Sequence, residues 1–257
     1  MGRNCFSSYV VSSWGYLLTL GYGSKLMDEV QRIKYAYQRK KNNAASTYSY
    51  LFSQQRENEI KIALKREGFA SLDMNHILDV GCGSGEVLNY FLKSGAVPEN
   101  LCGVDLLSER IEHAKRLYPR ISFTCGNAEK LPYPDSFFNI ITQSTMFTSI
   151  LDMKMKRGIA AEMLRVLKWN GVIIWHDYRF DNPFNPNAKG IGKEEIQELF
   201  PDCQFDFKLV NLNPFIARPL SRLSWRLCEA LEKISILRTH WLVTIKKKIS
   251  GLIKIDR

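Results

Sequence analysis

A short apolar run ends in a carboxylate and continues into a glycine-rich turn. Residues 77–80 read Ile-Leu-Asp-Val, and glycines follow at alternate positions: Gly81, Gly83 and Gly85. This pattern predicts a buried strand, a loop and then a helix. Glycines let the backbone of such a loop approach a ligand where any Cβ would clash. The carboxylate of Asp79 would repel a pyrophosphate but suits a cationic ligand.

The spacing of the glycines excludes a dinucleotide fingerprint. That fingerprint needs a glycine at the sixth position of G-x-G-x-x-G. Counted from Gly81 the sixth residue is Glu86, and counted from Gly83 it is Leu88. A nucleoside that carries positive charge and no phosphate fits the loop better.

An acidic residue followed by G-x-G-x-G resembles the first motif of the class I S-adenosylmethionine-dependent methyltransferases of the methyltransferase type 11-like kind. Two later features strengthen the resemblance. Asp105 ends the second predicted strand about 20 residues beyond the loop, where an acidic side chain accepts hydrogen bonds from ribose. Residues 126–139 are similar to the family pattern G-D-A-x-x-L-P-F-x-D-x-S-F-D, with Asn127 and Asn139 in place of two aspartates.

The resemblance implies the cofactor S-adenosyl-L-methionine and a set of residues that bind it. In the family the residue at the position of Asn127 accepts from the adenine amino group, and an amide oxygen can still do so. The implied cofactor-binding residues are Asp79, Gly81, Cys82, Gly83, Gly85, Asp105, Leu106, Asn127, Ala128 and Gln143.

The methyl acceptor is expected at the carboxyl ends of the fourth and fifth predicted strands. Residues 143–147 lack the Asn/Asp-Pro-Pro-aromatic motif that amine methylation uses, which favours an oxygen acceptor. At the end of the fifth strand His176 is the predicted general base, because its ordinary pKa lies near neutrality. Asp177 is predicted to orient His176 or to replace it. An equally good alternative makes His176 a plain hydrogen-bonding residue.

Two predicted helices precede the glycine loop, over residues 25–42 and 53–68, and we expect them to cap the cofactor cleft. Polar and aromatic residues of this part are candidates to line it: Tyr35, Arg39, Tyr48, Tyr50 and Arg56. The predicted substrate-binding set draws on both ends of the chain and comprises Tyr35, Arg39, Tyr178, Arg179 and Arg222. Packing and surface roles are the alternatives.

The net charge of +10 is concentrated at the two ends. Residues 25–66 carry +6 and residues 218–257 carry +7, whereas residues 67–217 carry −4. Such basic arms are suited to phosphate on lipids, nucleotide-sugars or nucleic acid. Arg218, Arg222 and Arg226 recur every fourth residue, which predicts a basic helix face. That face is either an anion-binding or membrane-surface helix or a solvated surface.

The remaining composition indicates an ordinary cytoplasmic α/β protein, with possible residence at the inner face of the membrane through its basic arms. At 257 residues and 45% hydrophobic content the chain can bury a core. Six scattered cysteines lack C-x-x-C spacing and nearby histidines, which argues against a zinc site. Residues 9–22 are mildly apolar and predict a loosely packed leader; Met27 is an alternative start.

The predicted fold is α/β, with a Rossmann-like seven-stranded sheet, an antiparallel C-terminal strand pair, a helical N-terminal cap and a helical insertion before the last strand. We expect the leader and cap over residues 1–69, the methyltransferase domain over 70–257, and the insertion over 211–238. The layout is also similar to methyltransferases found with bacterial surface-glycan synthesis.

The sequence therefore predicts O-methylation of a small-molecule or glycan acceptor. Methylation of RNA or lipid is the alternative within enzymes, and the lack of a recognisable RNA-binding module argues against nucleic acid. A non-catalytic S-adenosylmethionine-binding protein is the third possibility, supported only by Asn127 and Asn139.

Overall fold

A computed structural model describes residues 27–39, 47–183 and 185–248 of the chain. The predicted leader lies outside the described residues, as does the break predicted around residues 42–46. Residues 249–257, the end of the C-terminal basic stretch, also lie outside them.

A seven-stranded sheet forms the centre of the molecule, with spatial order β3-β2-β1-β4-β5-β7-β6. Its strands are β1 (Ile77–Val80), β2 (Leu101–Asp105), β3 (Ser122–Cys125), β4 (Phe138–Ser144), β5 (Leu167–Tyr178), β6 (Cys203–Leu212) and β7 (Arg238–Lys247). The first five strands pair in parallel, and β7 is antiparallel to both of its neighbours. The prediction of a Rossmann-like sheet with an antiparallel C-terminal pair is confirmed.

Eight helices surround this sheet in the described part of the chain. They are α1 (Glu29–Gln38), α2 (Thr47–Arg66), α3 (Glu86–Lys93), α4 (Ser108–Leu117), α5 (Met153–Val166), α6 (Lys193–Leu199), α7 (Pro214–Leu220) and α8 (Trp225–Glu232). Among the described residues, none of the helices has the length and apolar character needed to cross a bilayer.

Each face of the sheet is covered by helices, which explains why its central strands are apolar on both sides. Leu78, Val104 and Ile173 face the cluster that α5 and α6 complete. Ile77, Leu101 and Ile174 face the opposite cluster, which α2, α3 and α4 complete. Side chains that are neighbours along β5 therefore project to different faces.

The order of strands locates the ligand site. The chain leaves β1 towards β2 on one side and returns to β4 on the other. Ligands of open α/β sheets bind at such a switch point, beyond the carboxyl ends of the strands. The glycine loop, Asp105 and the end of β4 all lie at this edge.

Several element boundaries differ from the predicted ones. Residues 48–52, which precede the helix predicted over residues 53–68, form the first turns of α2. Residues 168–171 are part of β5, where Leu167 pairs with Phe138 and the register then shifts. The insertion between β6 and β7 is helical as predicted, but it consists of two short helices.

The predicted single basic helix in this insertion is wrong. Pro219 lies near the end of α7, and the Ser224 side chain accepts from the backbone N–H of Leu227 to cap a new helix. Arg218 consequently belongs to α7 and Arg226 to α8, with Arg222 in the turn between them. A spacing of four residues stacks side chains only within one continuous helix.

Packing beneath the glycine loop leads to a stability prediction. Gly103 lies in β2, where an added Cβ would come within 2.8 Å of Cys82 Sγ and 2.9 Å of Phe123 Cδ1. Gly103→Ala should lower the free energy of unfolding by about 1–3 kcal/mol through overpacking. Denaturant unfolding measures this change.

Gly126→Ala is the matched control, because a Cβ at Gly126 meets no atom within 4 Å. It should leave stability within about 1 kcal/mol of the parent, with a stabilising sign from reduced entropy of the unfolded chain. Equal effects of the two substitutions would contradict the close packing described for Gly103.

Candidate active site

The glycine loop has a backbone conformation that side chains rarely adopt. Gly81, Gly83 and Gly85 have φ angles of 74°, 55° and 87°. At Gly81 a Cβ would also come within 2.7 Å of the Met146 side chain. Glycine at this position therefore lets the loop after β4 close against the loop after β1.

Asp105 holds the loop in place from the end of β2. Its Oδ2 accepts from the backbone N–H of Gly83 at 2.9 Å, and its Oδ1 accepts from that of Leu107 at 2.9 Å. A carboxylate has about four acceptor sites, so lone pairs remain for ligand hydroxyls. Asp105 is buried but lines the cleft, as the predicted ribose contact requires.

Asp79 lies beneath the loop and is almost completely buried. Burial raises its pKa to about 7, although Thr142 Oγ1 donates to its Oδ1 at 2.9 Å and the positive charge of Arg56 acts in the opposite direction. The group is therefore partly protonated at neutral pH. A cationic ligand near the loop would favour its ionised form.

A partly open cleft lies above these residues. Of the predicted cofactor-binding residues, those that line it are Gly81, Asp105, Leu106, Asn127 and Ala128. The residues that line it without having been predicted as ligand contacts include Ile33, Tyr37, Leu107, Arg110, Ser144, Met146, Ser149 and Met155.

Helix α1 covers this cleft, in agreement with the expected role of the N-terminal helices. Glu29 Oε1 accepts from the backbone N–H of Leu151, and Arg32 donates to the carbonyl oxygen of Ser149 at 2.6 Å. Tyr37 presents its ring to the Arg110 guanidinium at 4.4 Å. Ile33 and Tyr37 lie four residues apart on this helix, and both line the cleft.

Both the oxygen and the nitrogen of the Asn127 side-chain amide form hydrogen bonds with Glu129, two residues further along the chain. Its Oδ1 accepts from the backbone N–H of Glu129 at 3.0 Å, and its Nδ2 donates to Glu129 Oε2 at 2.8 Å. The oxygen has a second lone pair for an adenine amino group. Glu129 supplies a negative charge two residues from the position where the family has its aspartate.

Five of the predicted cofactor-binding residues do not line the cleft: Asp79, Cys82, Gly83, Gly85 and Gln143. Cys82 packs under the loop towards Gly103, and burial raises the pKa of its thiol. The Oε1 atom of Gln143 accepts from the backbone N–H of Met146 at 3.3 Å and so supports the loop after β4. Asn139 begins β4 at the far edge of the sheet, where it accepts from the N–H of His76. Asn139 therefore does not bear on cofactor binding.

A buried polar chain extends from the cleft into the sheet through Ser144. The Arg56 guanidinium donates to Ser144 Oγ at 3.2 Å. Ser144 Oγ lies 3.1 Å from His176 Nδ1, and His176 Nε2 lies 2.7 Å from Asn211 Oδ1. The amide nitrogen of Asn211 faces the carbonyl oxygens of Phe52 and Gln55, so its oxygen faces the ring.

This geometry assigns the hydrogens of the chain. Asn211 Oδ1 can only accept, so His176 carries its hydrogen on Nε2 and leaves Nδ1 as an acceptor. Ser144 therefore donates to His176. Burial, with the positive charge of Arg56, lowers the pKa of His176 to about 3. His176 is neutral at physiological pH and reaches the cleft only through Ser144.

Asp177 projects to the opposite face of β5 from His176, so the prediction that it orients His176 is wrong. Its Oδ2 accepts from the backbone N–H of Thr148 at 3.2 Å. Burial raises its pKa to about 6, opposed by that hydrogen bond and by the charge of Lys156. The alternation of side chains along a strand separates the two residues.

The structure does not gather the five predicted substrate-binding residues into one site. Arg39 donates to the Tyr35 hydroxyl at 2.6 Å beside a second cavity that it shares with Asn185 and Asn187. Tyr178 packs at 3.8 Å on the ring of His240, whereas Arg179 lies 4.1 Å from the Phe180 ring centre. Arg222 lies in the exposed turn of the insertion. Tyr50, another candidate, is exposed and does not line the cleft.

The family model for a methyltransferase domain matches residues 77–171, which contain the glycine loop, Asp105 and the end of β4. This match covers a little over a third of the chain, so residues 77–171 are similar to a methyltransferase domain, and S-adenosylmethionine is the cofactor that this family implies. The cleft fits this cofactor: carboxylates at Asp79 and Asp105 face a loop that holds no lysine or arginine, so it suits a phosphate-free, cationic nucleoside.

Relatives among characterised proteins are similar over part of their length. Phthiotriol/phenolphthiotriol dimycocerosates methyltransferase of Mycobacterium tuberculosis is 27% identical over 173 residues, which is 66% of this chain and 60% of that protein. Ubiquinone/menaquinone biosynthesis C-methyltransferase UbiE of Campylobacter jejuni is 23% identical over 150 residues, 57% of each. The chain thus spans less than two thirds of these relatives.

Solved structures are similar in fold. A S-adenosylmethionine-dependent methyltransferase from Clostridium acetobutylicum has a TM-score of 0.56 at 13% identity, covering 76% of this chain and 92% of that one. The [4+2]-cyclase SpnF has a TM-score of 0.58 at 19% identity, covering 82% of this chain and 86% of that one. Because a cyclase shares the fold, the fold alone does not determine the reaction.

Replacement of Asp105 tests the cofactor site. Asp105→Asn places an amide N–H₂ group against the backbone N–H of either Gly83 or Leu107. It also removes the negative charge that is predicted to accept hydrogen bonds from the ribose hydroxyls. S-adenosylmethionine should bind roughly 10- to 100-fold more weakly, as for the loss of a hydrogen bond to a charged group. Isothermal titration measures the affinity.

Glu112→Gln provides the control, since it removes an exposed carboxylate that bonds only Lys115. Its affinity should equal that of the parent. Unfolding of both variants is followed in parallel, and an Asp105→Asn protein that is folded and binds normally would refute the assignment.

The raised pKa of Asp79 predicts a pH-dependent affinity. Below about pH 7 the folded protein keeps this carboxyl neutral, and it must lose a proton before it attracts a sulfonium. The affinity for S-adenosylmethionine should therefore rise roughly eightfold from about pH 6 to about pH 7.5, following the ionised fraction.

Asp79→Asn cannot titrate and should show a flat affinity over the same range, apart from the titration of the ligand itself. The stability has the opposite pH dependence: the raised pKa of Asp79 stabilises the fold at low pH, and this contribution is lost as the pH rises from about 4 to about 7. Parallel pH profiles for parent and variant would contradict the role of Asp79.

Proposed function

We propose that the chain transfers the methyl group of S-adenosylmethionine to an oxygen of an acceptor that binds beside Ser144. The observation that supports this most directly is the hydroxyl of Ser144, which opens on the cofactor cleft and is fixed from behind by Arg56 and His176. The sulfonium already activates the methyl group, so the protein has to align donor and acceptor and exclude water.

Ser144 is suited to hold an acceptor hydroxyl. Its own hydrogen is directed to His176 Nδ1, and one of its lone pairs receives Arg56. The second lone pair can accept a hydrogen bond from an acceptor O–H. In this arrangement His176 is a positioning residue that acts through Ser144.

Arg56 favours an acceptor that ionises by itself. Its side chain is nearly fully buried, and its Nε has no hydrogen-bond partner among the described residues. A positive charge held in a poorly solvated place stabilises a developing oxyanion more strongly than the same charge in water. A phenol, enol or carboxylic acid would therefore suit the site better than an alcohol, because neutral His176 has a pKa of about 3 and is a weak base.

The predicted acceptor classes differ in their support. A small molecule fits the cleft. The glycan class rests on the resemblance alone, and the RNA class rests on the basic arms. The names of the two relatives favour a lipid or a lipid-linked quinone, because one acts on phthiotriol dimycocerosates and the other in ubiquinone and menaquinone biosynthesis. A lipid acceptor is accordingly the second candidate.

Label transfer tests the proposal. The purified chain is incubated with methyl-labelled S-adenosylmethionine and with separate small-molecule, lipid, polysaccharide and RNA fractions of its native cells. Label should enter the small-molecule or the lipid fraction, in a product whose new methyl group is an ether or ester by mass spectrometry. A chain that binds the cofactor but labels none of the fractions would be a non-catalytic binding protein.

Ser144→Ala gives a sharper test of the acceptor side. Turnover should fall roughly 2- to 10-fold, because the substitution removes the hydrogen bond that orients the neutral acceptor hydroxyl before its proton is lost to solvent. The affinity for S-adenosylmethionine should stay the same. In the parent protein, the turnover rate should rise with pH as the acceptor ionises. The titration of His176 should produce no further change in this rate.

Ser122→Ala, at the exposed start of β3, is the control and should leave turnover unchanged. Full turnover in Ser144→Ala would remove Ser144 from the site. If His176→Gln alters the pH dependence of turnover, and a change of acceptor does not, His176 is the general base.

A further inference from the structure

The insertion between β6 and β7 exposes large apolar side chains beside unpaired positive charges. Its helices α7 and α8 and the turn at Ser235–Leu237 bury only a thin inner side, centred on Ala217 and Cys228. The outer side carries apolar residues that are about half or more exposed: Leu223, Trp225, Leu227, Ile234 and Ile236. Leu223 is 84% exposed and Ile236 is 78% exposed.

Basic residues share this outer surface. Arg218, Arg222, Arg226 and Lys233 are exposed, and none of them forms an ion pair with another residue in the described ranges. The acidic residues of the same helices oppose them weakly, since Glu232 turns inward and accepts from Gln55 Nε2. Only Glu229 remains as an exposed carboxylate on α8.

Some basic residues elsewhere are used within the fold. In α2, Arg66 pairs with Asp206, and Arg56 is buried. In β7, Lys246 pairs with Glu67, and Lys247 donates to the carbonyl oxygen of Leu167. Other exposed basic residues, such as Lys34 and Lys61, also form no ion pair among the described residues, but on the insertion such charges lie beside the highly exposed side chains of Leu223 and Ile236.

We propose that residues 214–237 dock the protein onto the surface of an anionic lipid bilayer. Apolar side chains such as Leu223 and Ile236 enter the boundary between headgroups and acyl chains, and the arginines and Lys233 lie at the level of the phosphates. Interfacial segments that combine Trp and Leu with arginine or lysine bind anionic membranes in this way. Charge complementarity selects a bilayer over an uncharged apolar partner.

The docking surface is joined to the acceptor side of the cleft. Glu232 of α8 accepts from Gln55, Gln55 Oε1 accepts from Asn211 Nδ2 at 3.3 Å, and Asn211 holds His176. Resting on the proposed methyl transfer, the acceptor is then a lipid that the bilayer presents beside Ser144. Docking itself does not depend on catalysis.

Vesicle binding tests the proposal without cofactor or acceptor. The full chain is sedimented with vesicles of phosphatidylglycerol and, separately, of phosphatidylcholine. Binding to phosphatidylglycerol should be at least tenfold stronger, and it should weaken with salt. The fluorescence of Trp225 should shift to shorter wavelength on binding, and this shift should be absent from Trp225→Phe.

Substitutions separate the two parts of the surface. Leu223→Ser/Ile236→Ser should reduce vesicle binding at least tenfold, and Arg222→Gln/Arg226→Gln should reduce it roughly fivefold per lost charge. The matched controls are Met74→Ser, which replaces a side chain that is 81% exposed elsewhere, and Arg120→Gln, which removes an exposed charge paired with Glu99. Both controls should bind as the parent does.

Three results would overturn the proposal: equal binding to the two lipids, full binding by Leu223→Ser/Ile236→Ser, or self-association that this double variant abolishes in a chain that ignores vesicles. The last result would assign the surface to a second copy. Vesicle binding without label transfer would refute the proposed methyl transfer alone. Label transfer to a soluble acceptor without vesicle binding would refute the docking alone.

Discussion

The carboxylate of Asp105 holds together the parts of the cofactor site. It accepts one backbone N–H from the glycine loop and another from the start of the turn into α4, so two loops from different strands share one anchor. This arrangement keeps a negative charge at the floor of the cleft. Together with buried Asp79 it makes the site hostile to phosphate and favourable to a cationic nucleoside.

The positive charge of Arg56 balances this acidic floor from the acceptor side. Arg56 is held under Ser144 by α2, and its field acts on both Asp79 and His176. Burial makes these effects large, because water screens them poorly. Under the proposed function, the site would present a carboxylate towards the donor and a guanidinium towards the acceptor, in keeping with methyl transfer to an oxygen anion.

The local patterns of the chain predicted the fold, and they predicted several residues of the cleft, such as Gly81, Asp105 and Asn127. These residues belong to local motifs: the alternating glycines, Asp105 at a strand end, and residues 126–139. Local spacing is enough to recognise such motifs, so no long-range contact had to be known. The acceptor half depends on contacts between distant segments. Arg56 meets Ser144, and His176 meets Asn211, only because α2 packs against β5 and β6 of the sheet.

Two wrong expectations have physical causes. The aromatic residues 48–52 favour extended structure by themselves, but packing against the sheet and the insertion makes them helical. The four-residue spacing of Arg218, Arg222 and Arg226 predicted one helix face, whereas Pro219 and the cap at Ser224 divide the segment. In the first case tertiary packing overrides a local preference, and in the second Pro219 and Ser224, which lie outside the repeat, divide the helix.

The selection of a phosphate-free cationic nucleoside is the central claim, and a comparison of ligands by isothermal titration tests it most directly. S-adenosylmethionine, its demethylated product S-adenosylhomocysteine and NAD⁺ all contain adenosine, but only NAD⁺ carries a pyrophosphate. The acidic floor formed by Asp79 and Asp105 predicts binding of the first two and no detectable binding of NAD⁺ at the same concentrations. Binding of NAD⁺ as tight as that of S-adenosylmethionine would contradict the account.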